Sequence, residues 1–242
     1  METAQVLERS LVDFVEAGYH VTLAQAAGDL DEVTRLRYEV FNLELGSGLA
    51  SSHGTGHDRD KFDEACDHLM VRHLASNRVV GTYRLQTAHR AAAHFGFYCA
   101  TEFDPFALPP DVVADGVELW RACVHHDFRN RRVLLLLWKG LASYLQAGRK
   151  RYLFGCCSLP TTSPIEARAA ERGLRDMGVW HPAWHVPAAR GAVVPPALDT
   201  PHSSPELPAL FRTYLRFGAT VCGGPVIDRM FARASCVYVK PA

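Results

Sequence analysis

Hydrophobic and polar positions along this chain change period repeatedly, and each change marks an element. Leu7, Leu11, Phe14 and Val15 recur at helical offsets with Glu8, Arg9 and Asp13 between them, which predicts an amphipathic helix over about 5–17. His20–Ala24 reads as a first strand. Asp29 is then placed to cap a helix reaching about Asn42, whose buried face carries Leu30, Val33, Leu36, Arg37, Val40 and Phe41. The Gly/Ser-rich stretch Gly46–Gly56 predicts a mobile loop. Leu69–Leu74 and Arg78–Gln86 predict two strands joined by a hairpin turn at Ala75-Ser76-Asn77.

His94–Leu108 is mixed and aromatic, and Pro105, Pro109 and Pro110 end any regular element there. Val117–Val124 predicts a strand and Val133–Ala147 a helix stopped by Gly148. Arg151–Cys157 is β-rich, and Pro164–Gly173 predicts a short helix. From about 179 to 208, seven prolines and little periodicity predict a connecting arm. Helical spacing returns over Leu207–Phe217, and Ser235–Val239 reads as the closing strand. This alternation, without repeats or linkers, predicts a single α/β domain over residues 1–242, a mixed β-sheet flanked by helices.

Composition narrows the function classes. A chain of 242 residues, 48% hydrophobic and 21% charged, can bury a substantial core. The formal net charge is zero, so bulk nucleic-acid binding is not expected and any positive site must be local. Seven cysteines without a CxxC motif suggest reduced thiols in the cytoplasm. No signal-peptide pattern opens the chain, and no run approaches the roughly 20 apolar residues of a membrane span. Membrane contact would therefore be peripheral, through the Leu7, Leu11, Phe14 and Val15 face, unless that face packs on the domain.

Glu118-Leu-Trp-Arg121 lies in the strand before a polar elbow carrying Arg129, Arg131 and Arg132, and a helix opens directly after it. A strand leading into a helix N-terminus with cations at the junction suits an anion, such as the diphosphate of coenzyme A or the phosphate of a phosphopantetheine arm. Upstream stand Asp58-Arg-Asp60-Lys-Phe-Asp63, Cys66-Asp-His68 and Val79-Val-Gly81-Thr-Tyr-Arg84. Near the end stand Leu207–Ala219 and Cys222-Gly-Gly-Pro225-Val-Ile-Asp228. In this order and spacing, from about Val21 to the last strand, the chain resembles the N-acyltransferases that make ornithine lipids and related acyl-amino-acid lipids. That family is a branch of the GNAT superfamily and is similar to the acyl-homoserine-lactone autoinducer synthases.

The resemblance implies a GNAT-like fold. It also implies transfer of a long-chain (3-hydroxy)fatty acyl group from acyl carrier protein to an amino acid's α-amine, with ornithine the first expectation. No tightly bound cofactor or metal is implied; the phosphopantetheine thioester is a co-substrate, with acyl-coenzyme A the alternative donor. A Glu-x-x-Arg at this place belongs to the family's active site, which makes Glu118 the candidate general base and Arg121 its catalytic partner. Strict alternation would put the two on opposite faces, and a β-bulge, for which GNAT domains are known, would bring both towards one cleft. The family's acidic pair corresponds to Asp60 and Asp63, expected with Arg84 on the substrate side. Three carboxylates within six positions need cations, from Arg84 or from a cationic substrate; a structural Asp–Arg pair is the alternative.

The elbow departs from the usual acetyl-coenzyme-A motif, since no glycine follows Arg129. Arg129, Arg131 and Arg132 are thus expected to meet the phosphopantetheine and acidic surface of an acyl carrier protein. His53, His57, Asp58, Cys66 and His68 form an assortment that could bind zinc, but without the pairing of a closed site. His125-His126 reads as polar surface, and Cys156 and Cys157 as buried thiols rather than nucleophiles. An acetyl-coenzyme-A acetyltransferase, an autoinducer synthase and a non-enzymatic carrier-binding module stand as rivals.

Overall fold

The computed structural model describes residues 12–196, 206–229 and 231–241. The strands are β1 (Asp13–Glu16), β2 (Tyr19–Leu23), β3 (Asp67–His73), β4 (Arg78–Thr87), β5 (Gly116–Val124), β6 (Tyr152–Leu159), β7 (Thr220–Asp228) and β8 (Arg233–Pro241). The α-helices among the described residues are α1 (Ala27–Arg37), α2 (Ala88–Ala93), α3 (Pro110–Ala114), α4 (Arg131–Ala147), α5 (Pro164–Asp176) and α6 (Ala209–Arg216). Their contacts gather into two compact bodies, one within residues 1–95 and 119–150, the other within 96–118 and 151–242.

In the first body the strand order is β1-β2-β3-β4-β5, and β1 to β4 pair antiparallel in sequence. Asn77, at φ 53°, turns the chain between β3 and β4. Ala26 is the N-cap of α1, and Asp29 works from the third helical position rather than as the cap. Its Oδ2 accepts the N–H groups of Gln25 and Ala26, each at 3.1 Å. The helix continues as a π-helical segment over Tyr38–Glu44. Val33, Leu36 and Val40 bury their faces against Met70, Val79 and Cys123. Each such aliphatic side chain stabilises the fold by about 1.5–3 kcal/mol. α4 lies so close to β4 that a Cβ on Gly81 would stand 2.9 Å from Val133 Cγ1 and would have to displace that side chain.

In the second body the order is β5-β6-β8-β7. β5 and β6 run parallel, while β6–β8 and β8–β7 are antiparallel, so this sheet is mixed. Ser163 caps α5 by accepting the Glu166 N–H at 3.4 Å. Phe97 packs edge-on to Phe154 with centroids 5.1 Å apart, and Tyr214 of α6 stacks on Tyr238 at 4.8 Å. A mixed sheet flanked by helices is the α/β class expected from the periodicities.

Three local expectations change. The helix over about 5–17, with Leu7 and Leu11, falls mostly outside the described residues. Its end, Asp13–Glu16, is strand β1, where Val15 is exposed and pairs with His20 of β2. Within Gly46–Gly56 the chain makes a 3-10 turn at Ala50–Gly54, tied by Asn42 Nδ2 donating to Leu49 O at 2.8 Å. β7 was not expected, because Gly223, Gly224 and Pro225 read as breakers. The strand tolerates them by shifting register twice. Gly223 is needed because a Cβ there would lie 2.2 Å from the Val186 carbonyl of the arm. No helix of the described residues is long and apolar enough to cross a membrane.

Candidate active site

The acidic segment Asp58–Asp63 lands in the interior of the first body, where arginines answer it. Arg37, on the apolar face of α1, is fully buried. Its Nε donates to Asp58 Oδ1 at 2.9 Å and its Nη1 to Asp63 Oδ1 at 2.6 Å, and Nη2 also bonds Asp58. Arg84 of β4, equally buried, donates to Asp60 Oδ2 at 3.0 Å and to Asp63, and its guanidinium lies 5.2 Å over the Trp120 ring. Arg121 Nη1 stands 3.3 Å from Asp58 Oδ2, and its Nη2 4.0 Å from Asp60. Three guanidinium groups thus meet three carboxylates. Burial pushes the Asp63 carboxyl up, but Arg37 and Arg84 outweigh it and hold it far below the usual range. The same carboxylates raise Arg37 against its own burial. Beside them, burial and Arg84 lower the His68 imidazole to about 4, so it is neutral, with Nε2 2.9 Å from Asp63 O.

The sequence-predicted Asp60, Asp63 and Arg84 therefore come together, joined by Arg121 and by Arg37. Arg37 was not named for the site, although an arginine among the apolar positions of α1 was its signal. Asp60 is the most exposed of the three carboxylates, with a fifth of its side chain reaching solvent. Arg121 adopts φ 52° in the middle of β5, a left-handed residue that breaks the strand's alternation where a bulge was expected.

At the elbow, Arg129 makes a bidentate pair with Glu44, and this hydrogen-bonded guanidinium lowers the Glu44 carboxyl. Its Nε donates to Val124 O at 3.1 Å. Asn130 caps α4, its Oδ1 accepting the N–H groups of Arg132 (3.0 Å) and Val133 (3.2 Å). Arg131 and Arg132 are exposed and make no ion pair among the described residues. Arg129 thus braces the elbow, while Arg131 and Arg132 offer free charge.

Glu118 lies in the second body and is fully buried. Its Oε2 and Oε1 accept the backbone N–H groups of Tyr98 (2.8 Å) and Cys99 (2.6 Å), so it holds the 3-10 turn Tyr98–Thr101 in place. Glu102, which ends that turn, is also buried, and burial raises its carboxyl although Ser235 and Arg233 work against this. Sequence reasoning missed Glu102; an acid inside the aromatic run Phe95–Phe106 was the only hint.

The remaining candidates disperse. His57 Nδ1 bonds Thr34 Oγ1 at 3.0 Å, Asp58 serves the arginines, and His68 faces Asp63. Among the described residues the grouping close enough for a metal is His125, His126 and Asp127. All seven cysteines are free, and burial pushes the Cys123, Cys222 and Cys236 thiols up to about 12 and those of Cys99, Cys156 and Cys157 well above their usual value. Protonated thiols are poor nucleophiles.

Residues 36–139 match the family described as an acetyltransferase (GNAT) domain. The chain is similar to the L-ornithine N(alpha)-acyltransferase of Rhodobacter capsulatus, at 35% identity covering 88% of this chain and 86% of the relative. It is also similar to the L-ornithine N(alpha)-acyltransferase of Rhizobium meliloti, at 32% identity covering 93% of this chain and 80% of the relative. Among solved structures, an N-acyl amino acid synthase from uncultured soil microbes has a TM-score of 0.54, covering 92% of this chain and 90% of that one. At 10% identity that likeness shows the fold alone. With the GNAT fold, the Glu118–Arg121 strand and this identity over nearly its whole length, the chain belongs to the L-ornithine Nα-acyltransferase family and is an acyltransferase.

Proposed function

We propose that this acyltransferase moves a long-chain (3-hydroxy)fatty acyl group from the thioester of an acyl carrier protein to the α-amine of ornithine, in aminolipid synthesis. Family membership supports the acceptor, and it is the observation that carries the reading. The elbow supports the donor. Asn130 occupies two N–H groups at the start of α4 and no glycine opens the turn, which disfavours close seating of a coenzyme A diphosphate. The exposed Arg131 and Arg132 suit an acidic carrier surface bearing a single phosphate.

In chemical terms, the ammonium gives up a proton and its nitrogen attacks the thioester carbonyl carbon. The carbon–sulfur bond then breaks, and the leaving thiolate takes the second proton, which the nitrogen loses as it becomes the amide. We assign the first proton to Glu118, the carboxylate at the start of the Glu-x-x-Arg run of β5. Arg121 is its proposed catalytic partner. Asp60, Asp63 and Arg84 are assigned to the acceptor side, where the arginine-braced network orders the loop that carries Asp60. The product is a single-chain amphiphile, which fits a peripheral membrane contact.

The test is purified protein with acyl-carrier thioesters and an amino-acid panel, read by mass spectrometry. Acyl-ornithine from the carrier thioester is expected. A product with acetyl-coenzyme A and none with carrier thioesters would overturn the reading.

A further inference from the structure

The second body holds a buried carboxyl, Glu102, that its described neighbours answer only weakly. Glu102 is 6% exposed, and its backbone is fixed on both sides. Its N–H donates to Cys99 O at 3.0 Å, and its carbonyl accepts the Ala189 N–H at 2.9 Å. Among the described residues, the charged groups that share its turn or face Arg233 have partners of their own. Glu118 accepts the two turn amides. Asp228 accepts the Phe231 N–H at 3.2 Å and faces Arg233 Nε at 3.3 Å. Arg233 Nη2 donates to the Tyr98 hydroxyl at 3.0 Å. Neither oxygen of Glu102 has a hydrogen bond of good geometry, and the Ser235 hydroxyl, which faces it and is fully buried, has none either. Among the described residues, the Arg233 guanidinium is thus shared between Glu102 and Asp228.

A buried carboxylate with so few donors is costly in its charged form, and a cation brought to it would relieve that cost. Glu102 also ends the turn that hangs from Glu118. Both carboxylate residues therefore border one turn, Glu118 through the Tyr98 and Cys99 N–H groups and Glu102 through the Cys99 carbonyl. We propose that Glu102, assisted by Ser235, binds the side-chain ammonium of a diamino-acid acceptor and so selects basic over neutral amino acids. This rests on the proposed acyl transfer to ornithine and names the group that reads its second amine. A neutral acceptor would leave the carboxylate buried and unpaired, which penalises the wrong substrate as well as favouring the right one.

The experiment compares ornithine with norvaline, which has the same carbon chain and no side-chain amine, on wild-type protein, Glu102→Gln and Glu102→Asp. Loss of one partner of a buried charge pair should lower the ornithine-to-norvaline preference in kcat/KM by about 100-fold in Glu102→Gln. The change should appear chiefly in the ornithine KM, with partial recovery in Glu102→Asp. A preference within about threefold of wild type in Glu102→Gln would overturn the inference. Calorimetric titration of both amino acids into the same proteins separates the two ideas. If wild type forms no acyl-ornithine, the proposed function fails, and tighter binding of ornithine than norvaline, lost in Glu102→Gln, still supports the ammonium site. Equal binding of the two by wild type overturns it.

Discussion

The two bodies of this enzyme treat buried carboxylates in opposite ways. In the first, Asp58, Asp60 and Asp63 are matched by Arg37, Arg84 and Arg121, with His68 held neutral beside them. In the second, Glu102 lies buried beside an arginine committed to Asp228 and Tyr98. A balanced network of this kind maintains a loop, and removing any member exposes the fold to an unpaired charge. A weakly answered group is open to a partner from outside. The contrast separates residues that hold the structure from residues that await a ligand, and mutation should break the two in different ways.

The largest effect is expected at Arg37. Arg37→Ala strands Asp58 and Asp63 in the interior and should lower the unfolding free energy by about 3–5 kcal/mol in denaturant titration. A loss below about 1 kcal/mol would place the network among marginal surface pairs. Acid comes next. Because the His68 imidazole is held at about 4 in the fold against 6.5 for the free group, the unfolded chain binds more protons between those values. Stability from this group is therefore full above pH 6.5 and falls by about 3 kcal/mol as the pH drops to 4. Asp63, depressed by its arginines, adds a further loss below its ordinary value of 3.8. Stability measured against pH should lose its slope between 6.5 and 4 in His68→Gln, and an unchanged slope would remove His68 from the account.

Glu118 sharpens the comparison from the other side. It is the proposed base, yet it also holds the turn Tyr98–Thr101. Glu118→Gln should reduce turnover by roughly 10²-fold. It should also destabilise the fold by about 1–3 kcal/mol, because an amide NH₂ would face one of two N–H groups that need an acceptor. Full turnover in a folded variant would leave Glu118 with the anchoring role alone. The smallest effect on stability belongs to the elbow. Replacing Arg131 and Arg132 with alanine should change the unfolding free energy by less than about 0.5 kcal/mol. The same change should raise the apparent KM for acyl carrier protein and flatten its salt dependence, since exposed charges are screened over about 10 Å at 0.1 M ionic strength. Wild-type carrier kinetics at low salt would move the docking site elsewhere.

Much of this was legible in the residues. The α1 face, the β3–β4 hairpin, β5 and α4 follow from period and punctuation, because each buries one face against a continuous core. Asp60, Asp63, Arg84, Glu118 and Arg121 were found because their spacing resembles a family, and pattern alone would have scattered them. β7 was missed because Gly223 serves a close approach of the arm and Gly224 a close approach of β8, tertiary contacts that local propensity cannot express. β1 was read as helix because four apolar residues fit a helical offset, while its pairing with β2 is decided across the Ala17-Gly18 turn. Glu102 left no spacing signal, since its isolation is a property of the surroundings it is folded into.

The most direct test of the contrast is the unfolding free energy of Glu102→Gln, measured in denaturant beside Arg37→Ala. If Glu102 awaits a ligand, removing its unmatched charge should leave stability unchanged or raise it by about 1 kcal/mol in the absence of substrate. A loss of more than about 1 kcal/mol would show that the carboxylate is bound into the fold as firmly as the first network. The distinction between the two bodies would then collapse.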